Sequence, residues 1–164
     1  MKRVLFALGF SAMLSGTAHA ETYAVSMYTL DTFTRLLSTA LQERAKELGI
    51  TVKVDDAKED PARQIEQVKA ALASKPPALI VTPPNDEVAA QIDALAAAAN
   101  VPLVFMNVQP NLDRFLSRTA IVASNDLVAG RMQMRYVGKL IGNKGNVAVL
   151  TGPSGHPAAI GRTN

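Results

Sequence analysis

Apolar and polar positions along this chain alternate in two registers. Short, nearly continuous apolar runs at Tyr23–Tyr28, Ala78–Thr82, Leu103–Met106, Ala120–Ala123 and Val147–Leu150 predict strands, and so does the alternation of Ile50, Val52 and Val54 with polar neighbours. Runs of this kind suit a parallel sheet covered on both faces. Between them the apolar residues recur at helical spacing. Phe33, Leu36, Leu37, Ala40, Leu41 and Leu48 fall on one face of a first helix, and Gly49 is placed to end it in the left-handed conformation. Asp60-Pro61 is a helix start, with Asp as N-cap and Pro at the first helical position. Ile65, Val68 and Leu72 then form the inner face of a second helix. Val88, Ile92, Leu95 and Ala99 do the same for a third, and Leu127–Ile141 is a fourth, stopped by Gly142.

Strand and helix in turn predict an α/β fold, a doubly wound parallel sheet with right-handed crossovers. Asn107–Arg118 is an unusual crossover. A parallel connection normally takes at least a dozen residues and a helix, yet this stretch holds the turn formers Pro110, Asn111 and Asp113. It reads as a long loop or one short helical turn near a structural boundary. Beyond Ala123 come one helix, one strand and a Gly/Pro-rich stretch, with no recognisable element at Gly161-Arg162-Thr163-Asn164. One strand and one helix cannot close a core alone. They either extend the first sheet or open a second domain, and the second reading is favoured.

The N-terminus changes the setting. Lys2 and Arg3 precede a mostly apolar stretch, Val4 to Met13, and a small-x-small site, Ala18-His19-Ala20. This is the order of a secretory signal peptide covering residues 1–20. The apolar stretch is shorter than the roughly 20 residues that span a bilayer. A processed chain starting at Glu21, outside the cytoplasm and without stable membrane insertion, is expected. Nucleic acid and chemistry dependent on ATP or soluble NAD are disfavoured there. Losing Lys2 and Arg3 leaves 15 of the 17 basic residues against 14 acidic ones, so the basic balance of the full chain is no argument for a polyanionic partner. There is no cysteine, so neither disulfide nor thiolate chemistry is available. Of the two histidines, His19 leaves with the leader and His156 remains, which excludes a multi-histidine metal site.

Open α/β sheets bind ligands outside the carboxyl ends of their strands, where strand order reverses. Tyr28, Asp31 and Phe33 follow the first strand; Asn85 and Asp86 the third; Asn107 the fourth; Asn125 and Asp126 the fifth; Gly152 to His156 and then Arg162 the sixth. This set is polar and partly aromatic, as a polyol requires. Each hydroxyl both donates and accepts, so Asp, Asn, His and Arg satisfy it in pairs. Phe33 or Tyr28 can cover the less polar C–H face of a pyranose. Plainer roles compete: Asp31, Asn85 and Asn125 as helix N-caps, Phe33 as core packing, Asn107 in a turn, Arg162 as a solvated cation, His156 bonded to its own loop. The functional reading rests on their convergence at one edge of the sheet.

Enzymatic motifs are missing. There is no G-x-G-x-x-G or G-x-x-x-x-G-K-[ST] run for phosphates. Gly152-Pro153-Ser154-Gly155 lacks the G-x-S-x-G spacing of a nucleophile elbow. A binding protein, not an enzyme, with no cofactor or metal, is expected.

Five segments in order, Val25–Phe33, Ala78–Pro84, Val101–Asn107, Ala123–Gly130 and Gly152–Thr163, stand behind the export signal. Through them residues 21–164 resemble the type I periplasmic sugar-binding proteins of ABC importers, the ribose/galactose-binding group. The resemblance implies two α/β lobes joined by a hinge and closing on one sugar. Residues 21–124 would be most of the first lobe and 125–164 the start of an incomplete second one. It also implies sugar contacts from Asp31, Phe33 and Asn107 in the first lobe and from His156 and Arg162 in the second. Ala158 stands where the galactose-type branch usually has Asp, and the loop between Tyr28 and Phe33 is one residue shorter, which points away from glucose and galactose. Asn107-Val108 replaces the Asp-Arg of the ribose-type branch. A different pyranose or a cyclitol is expected.

The leading expectation is therefore a monomeric periplasmic receptor that delivers a sugar or polyol to an ABC transporter permease. A sensory domain for a chemoreceptor or kinase uses the same fold. A cytoplasmic sugar-responsive repressor is opposed by the export signal and by the lack of an N-terminal helix-turn-helix. A truncated receptor without function is the remaining alternative. With half the cleft absent, residues 21–164 are expected to bind ligand weakly or not at all.

Overall fold

A computed structural model of the chain describes residues 21–152 and 154–164; the leader read as a signal peptide, residues 1–20, and Pro153 lie outside the described residues. Five strands form, β1 (Thr22–Met27), β2 (Thr51–Asp56), β3 (Leu79–Thr82), β4 (Leu103–Asn107) and β5 (Thr119–Ala123). They pair in parallel in the order β2-β1-β3-β4-β5. Val25 of β1 lies between Val54 of β2 and Ile80 of β3. The chain winds outward from β1 to β2, then returns to build β3, β4 and β5 on the other side. Strand order thus reverses at β1/β3, the expected switch point of a doubly wound sheet.

Pleating divides the core between the two faces. Leu79 and Val81 of β3 and Leu103 and Phe105 of β4 pack with Val68, Leu72, Val88 and Ile92 from α2 (Pro61–Ala73) and α3 (Asp86–Ala99). Val25, Met27 and Met106 face the other way, toward Leu37 and Leu41 of α1 (Thr32–Glu47). The local signals act as expected. Asp60 caps α2 by accepting from the amides of Ala62 and Arg63, with Pro61 in the first turn. Gly49 and Gly142 have φ of +69° and +63°, just past α1 and α4 (Asp126–Leu140).

The buried seam of α1 is rotated from the expected face. Thr34, Ser38 and Ala45 are its buried residues, Leu37 and Leu41 are half-buried, and Phe33 and Leu36 are exposed. The small side chains permit close approach to the sheet and so define the seam, which turns the bulkier Phe33 outward.

Residues 108–118 connect β4 to β5 as a loop without a helix. Leu112 and Phe115 supply the packing a crossover helix would give, and the Phe115 ring lies 6.0 Å from that of Phe105. Asp93 of α3, 2% exposed, anchors the loop's end. Its carboxylate accepts from the amides of Leu116 (2.6 Å) and Ser117 (3.1 Å) and from the hydroxyls of Ser117 and Thr119. Burial alone would raise the Asp93 pKa. The hydrogen bonds from Leu116, Ser117 and Thr119 together outweigh it and hold the carboxyl below its ordinary range.

Two expectations are corrected beyond β5. Val147–Leu150 forms no strand, and Leu150 is 99% exposed. A strand persists through its ladder, and among the described residues no neighbouring strand pairs with this segment. Residues 157–163, where no element was expected, form a short helix, α5 (Pro157–Thr163), with Pro157 in its first turn.

Candidate functional site

The carboxyl ends of β1 and β4 and the starts of α1 and α5 converge on two adjoining cavities. One, of about 690 Å³, is walled by Phe33, Met106, Asn107, Val122, His156 and Arg162. The second, of about 540 Å³, is walled by Tyr28, Asp31, Glu59, Thr151, His156 and Arg162. Of the strand-end residues read from the sequence, Tyr28, Asp31, Phe33, Asn107, His156 and Arg162 line one cavity or the other, and Asn85, Asp86, Asn125 and Asp126 line neither. His156 and Arg162 line both.

Local chemistry fixes each position. Asp31 is the N-cap of α1: its Oδ1 accepts from the amide and the hydroxyl of Thr34, each at 2.8 Å. The Thr34 amide, followed by its hydroxyl, holds the Asp31 carboxyl below the usual carboxylate pKa. The cap engages one oxygen, so capping and lining the cavity are compatible. Phe33, in the first turn of α1, is 58% exposed and lines the larger cavity; its core-packing reading does not hold. Asn107 ends β4 at φ +67°, a left-handed conformation that Asn adopts more readily than bulkier residues. His156 occupies the N-cap position of α5 without a side-chain capping bond. The guanidinium of Arg162 is tied to the start of α4, its Nε donating to Asp126 Oδ1 at 2.8 Å. Asn85 and Asn125 are N-caps, accepting from the amides of Val88 and Val128, and line neither cavity.

The sequence reading missed Glu59. Its backbone carbonyl accepts from the Tyr28 hydroxyl at 2.7 Å, and its amide donates to the Tyr28 carbonyl at 2.9 Å. Lys58 and Glu59 both take left-handed φ, +55° and +62°, which sets Glu59 at the wall of the smaller cavity. The signal is present in the chain, since Glu59 follows the end of β2 as Tyr28 and Asp31 follow that of β1.

Carboxylates at Asp31 and Glu59, an amide at Asn107, donors at Arg162 and an aromatic ring at Phe33 give both halves of hydroxyl recognition and an apolar face. Among the described residues no group of His, Cys, Asp and Glu is placed to hold a metal ion, and no helix is long and apolar enough to cross a membrane.

Residues 23–164 match the family model described as the periplasmic binding protein domain. The chain is 35% identical to a putative rhizopine-binding protein of Rhizobium meliloti, over 99% of this chain and 54% of the relative. It is 26% identical to the ribose import binding protein RbsB of Escherichia coli K12, over 93% of this chain and 51% of the relative. Among solved structures, an ABC transporter solute binding protein from Bacillus halodurans with bound myo-inositol superposes with a TM-score of 0.83 at 30% identity, covering 91% of this chain and 52% of that one. The chain thus spans about half the length of the curated relatives it matches.

Proposed function

This chain belongs to the periplasmic binding protein domain family, and we propose that it captures a sugar or related polyol for an ABC-type importer, with a cyclitol as the best-fitting ligand. The observation that carries the reading is the shared lining of the two cavities, where donors, acceptors and an aromatic ring from both ends of the sequence meet. Relatives named for rhizopine and ribose binding, and a structure holding myo-inositol, support the same ligand class. In this reading the protein binds and releases its ligand without chemical change and docks on a permease as a monomer.

Residues 21–124 then form the first lobe and 125–164 begin the second. The exposure of Met132, Tyr136, Leu140, Val149 and Leu150 supports that division, because apolar surface of this extent normally meets a partner layer. Residues 1–20 direct export to the periplasm and are removed. N-terminal sequencing of the secreted protein is expected to begin at Glu21; retention of the leader contradicts the export reading.

For residues 21–164 alone, binding is expected near 1 mM, about 4 kcal/mol. NMR titration of the isotopically labelled protein with myo-inositol, ribose, xylitol and galactose tests this. Saturable shifts with myo-inositol ahead of galactose are expected. No saturable response to any of the four contradicts this expected affinity, and micromolar or tighter binding contradicts the expectation that residues 21–164 bind weakly.

A further inference from the structure

Arg162 lines both cavities, yet it lies near the end of a seven-residue helix and is half exposed. A long side chain in that setting samples many rotamers unless something holds it. The packing of α4 against α5 supplies the hold. A Cβ on Gly130 of α4 would collide with the carbonyl oxygen of Arg162, and one on Gly161 would sit 3.0 Å from Cβ of Asp126. Two glycines facing each other's helix therefore bring the backbones into close contact. That approach brings the Asp126 carboxylate, 10% exposed, to 2.8 Å from Arg162 Nε. Asp126 stands in the first turn of α4, where the helix dipole favours a carboxylate, and the same oxygen also accepts from the Ser124 hydroxyl at 3.2 Å.

Asp126 lines neither of the two cavities. It faces a third, of about 420 Å³, beside Asn125, Pro157 and Gly161. Its carboxylate takes the Nε edge of the guanidinium, and among the described residues the two Nη groups have no protein acceptor. A planar fork fixed at one nitrogen presents its remaining donors in a set direction.

We propose that Asp126 is a positioning residue that orients Arg162 toward the polyol without touching it. The inference rests on the ligand reading above only for its effect on affinity; the Asp126–Arg162 coupling is testable without ligand.

The test uses the chain expressed with its own leader, in wild-type form and as Asp126→Ala, Asp126→Asn, Arg162→Ala and the Asp126→Ala/Arg162→Ala double variant. The first readout is the Nε–H resonance of Arg162 in the unliganded protein. It is expected to be shifted from the free-arginine position and protected from solvent exchange in wild type, partly so in Asp126→Asn, and free-arginine-like in Asp126→Ala. The second is myo-inositol affinity by NMR titration. Asp126→Ala is expected to weaken it about tenfold and Asp126→Asn about threefold, with no further loss when Asp126→Ala is added to Arg162→Ala.

Unchanged Arg162 resonance in Asp126→Ala overturns the proposal, as do additive losses in the double variant. If Asp126→Ala leaves affinity intact while Arg162→Ala abolishes it, positioning is wrong and the ligand reading stands. If the wild type does not bind myo-inositol, the ligand reading fails for that compound, and the resonance comparison alone decides the positioning. Should Asp126→Ala lose its helical circular dichroism, Asp126→Asn carries both readouts.

Discussion

Asp31 and Asp93 are both held below the usual carboxylate pKa, for different reasons and with different consequences. At Asp31 the Thr34 amide and hydroxyl dominate at an exposed helix end. At Asp93 burial works against the ionised form, and the hydrogen bonds from the β4–β5 loop win. Removing the Asp93 carboxylate leaves several part-buried loop donors without their acceptor, so Asp93→Ala is expected to cost about 2 kcal/mol in urea unfolding; a loss under about 0.5 kcal/mol would contradict this anchor, being within the range of ordinary surface substitutions. Both folded-state pKa values lie below the ordinary 3.8. On acidification the unfolded chain therefore takes up protons first. The stability these groups contribute is complete above the unfolded pKa and is lost as pH falls through the folded one. The urea midpoint should decline below about pH 4, less steeply in Asp93→Asn. At Asp31 the two roles separate by substitution. Asp31→Asn preserves the cap and is expected to weaken polyol binding with little loss of stability. Asp31→Ala is expected to lose about 1 kcal/mol as well. Equal polyol binding by wild type and Asp31→Asn would leave Asp31 as a cap alone.

At the scale of elements, what the sequence disclosed follows from how local each determinant is. Asp60 and Pro61 start α2 through groups within three residues, so that boundary was legible. The strands of the first sheet were legible because apolar runs of their length have few other uses. The seam of α1 was not. It is set by how closely Thr34, Ser38 and Ala45 approach the sheet, a property of the pair of elements. Val147–Leu150 has the composition of a strand but lacks a ladder partner, which composition does not report. α5 was hidden by its glycine and proline content, although Pro157 stands at a favourable first-turn position. What secures α5 is its contact with Gly130. Gly130→Ala, harmless in an isolated helix, is thus expected to unseat α5, seen as faster hydrogen exchange at Ile160 and Asn164, whose amides donate to the carbonyls of His156 and Ile160 at the two ends of α5. Unchanged protection there would contradict the close-packing account.

At the scale of the whole molecule, the switch point of the sheet is the organising fact. Reversal of strand order at β1/β3 opens a crevice at the carboxyl edge. Tyr28, Asp31 and Phe33 reach it from one side and His156 and Arg162 from the other, with Asn107 at the end of β4. For Tyr28, Asp31, Phe33 and Asn107 the convergence was legible because it depends on which residues follow which strands; His156 and Arg162 were expected after a sixth strand that does not form, and α5 carries them to the edge instead. Glu59 was legible in the same way, as a residue beyond the end of β2, but its contact with Tyr28 depends on a left-handed pair, Lys58 and Glu59, that composition does not signal. The central claim is that this edge is one polyol site. Mapping chemical-shift changes on titration with myo-inositol tests it most directly. The account predicts saturable changes concentrated at Tyr28, Asp31, Phe33, Asn107, His156 and Arg162 with one shared dissociation constant. Changes spread over the surface without saturation, or centred away from the carboxyl edge, would contradict it.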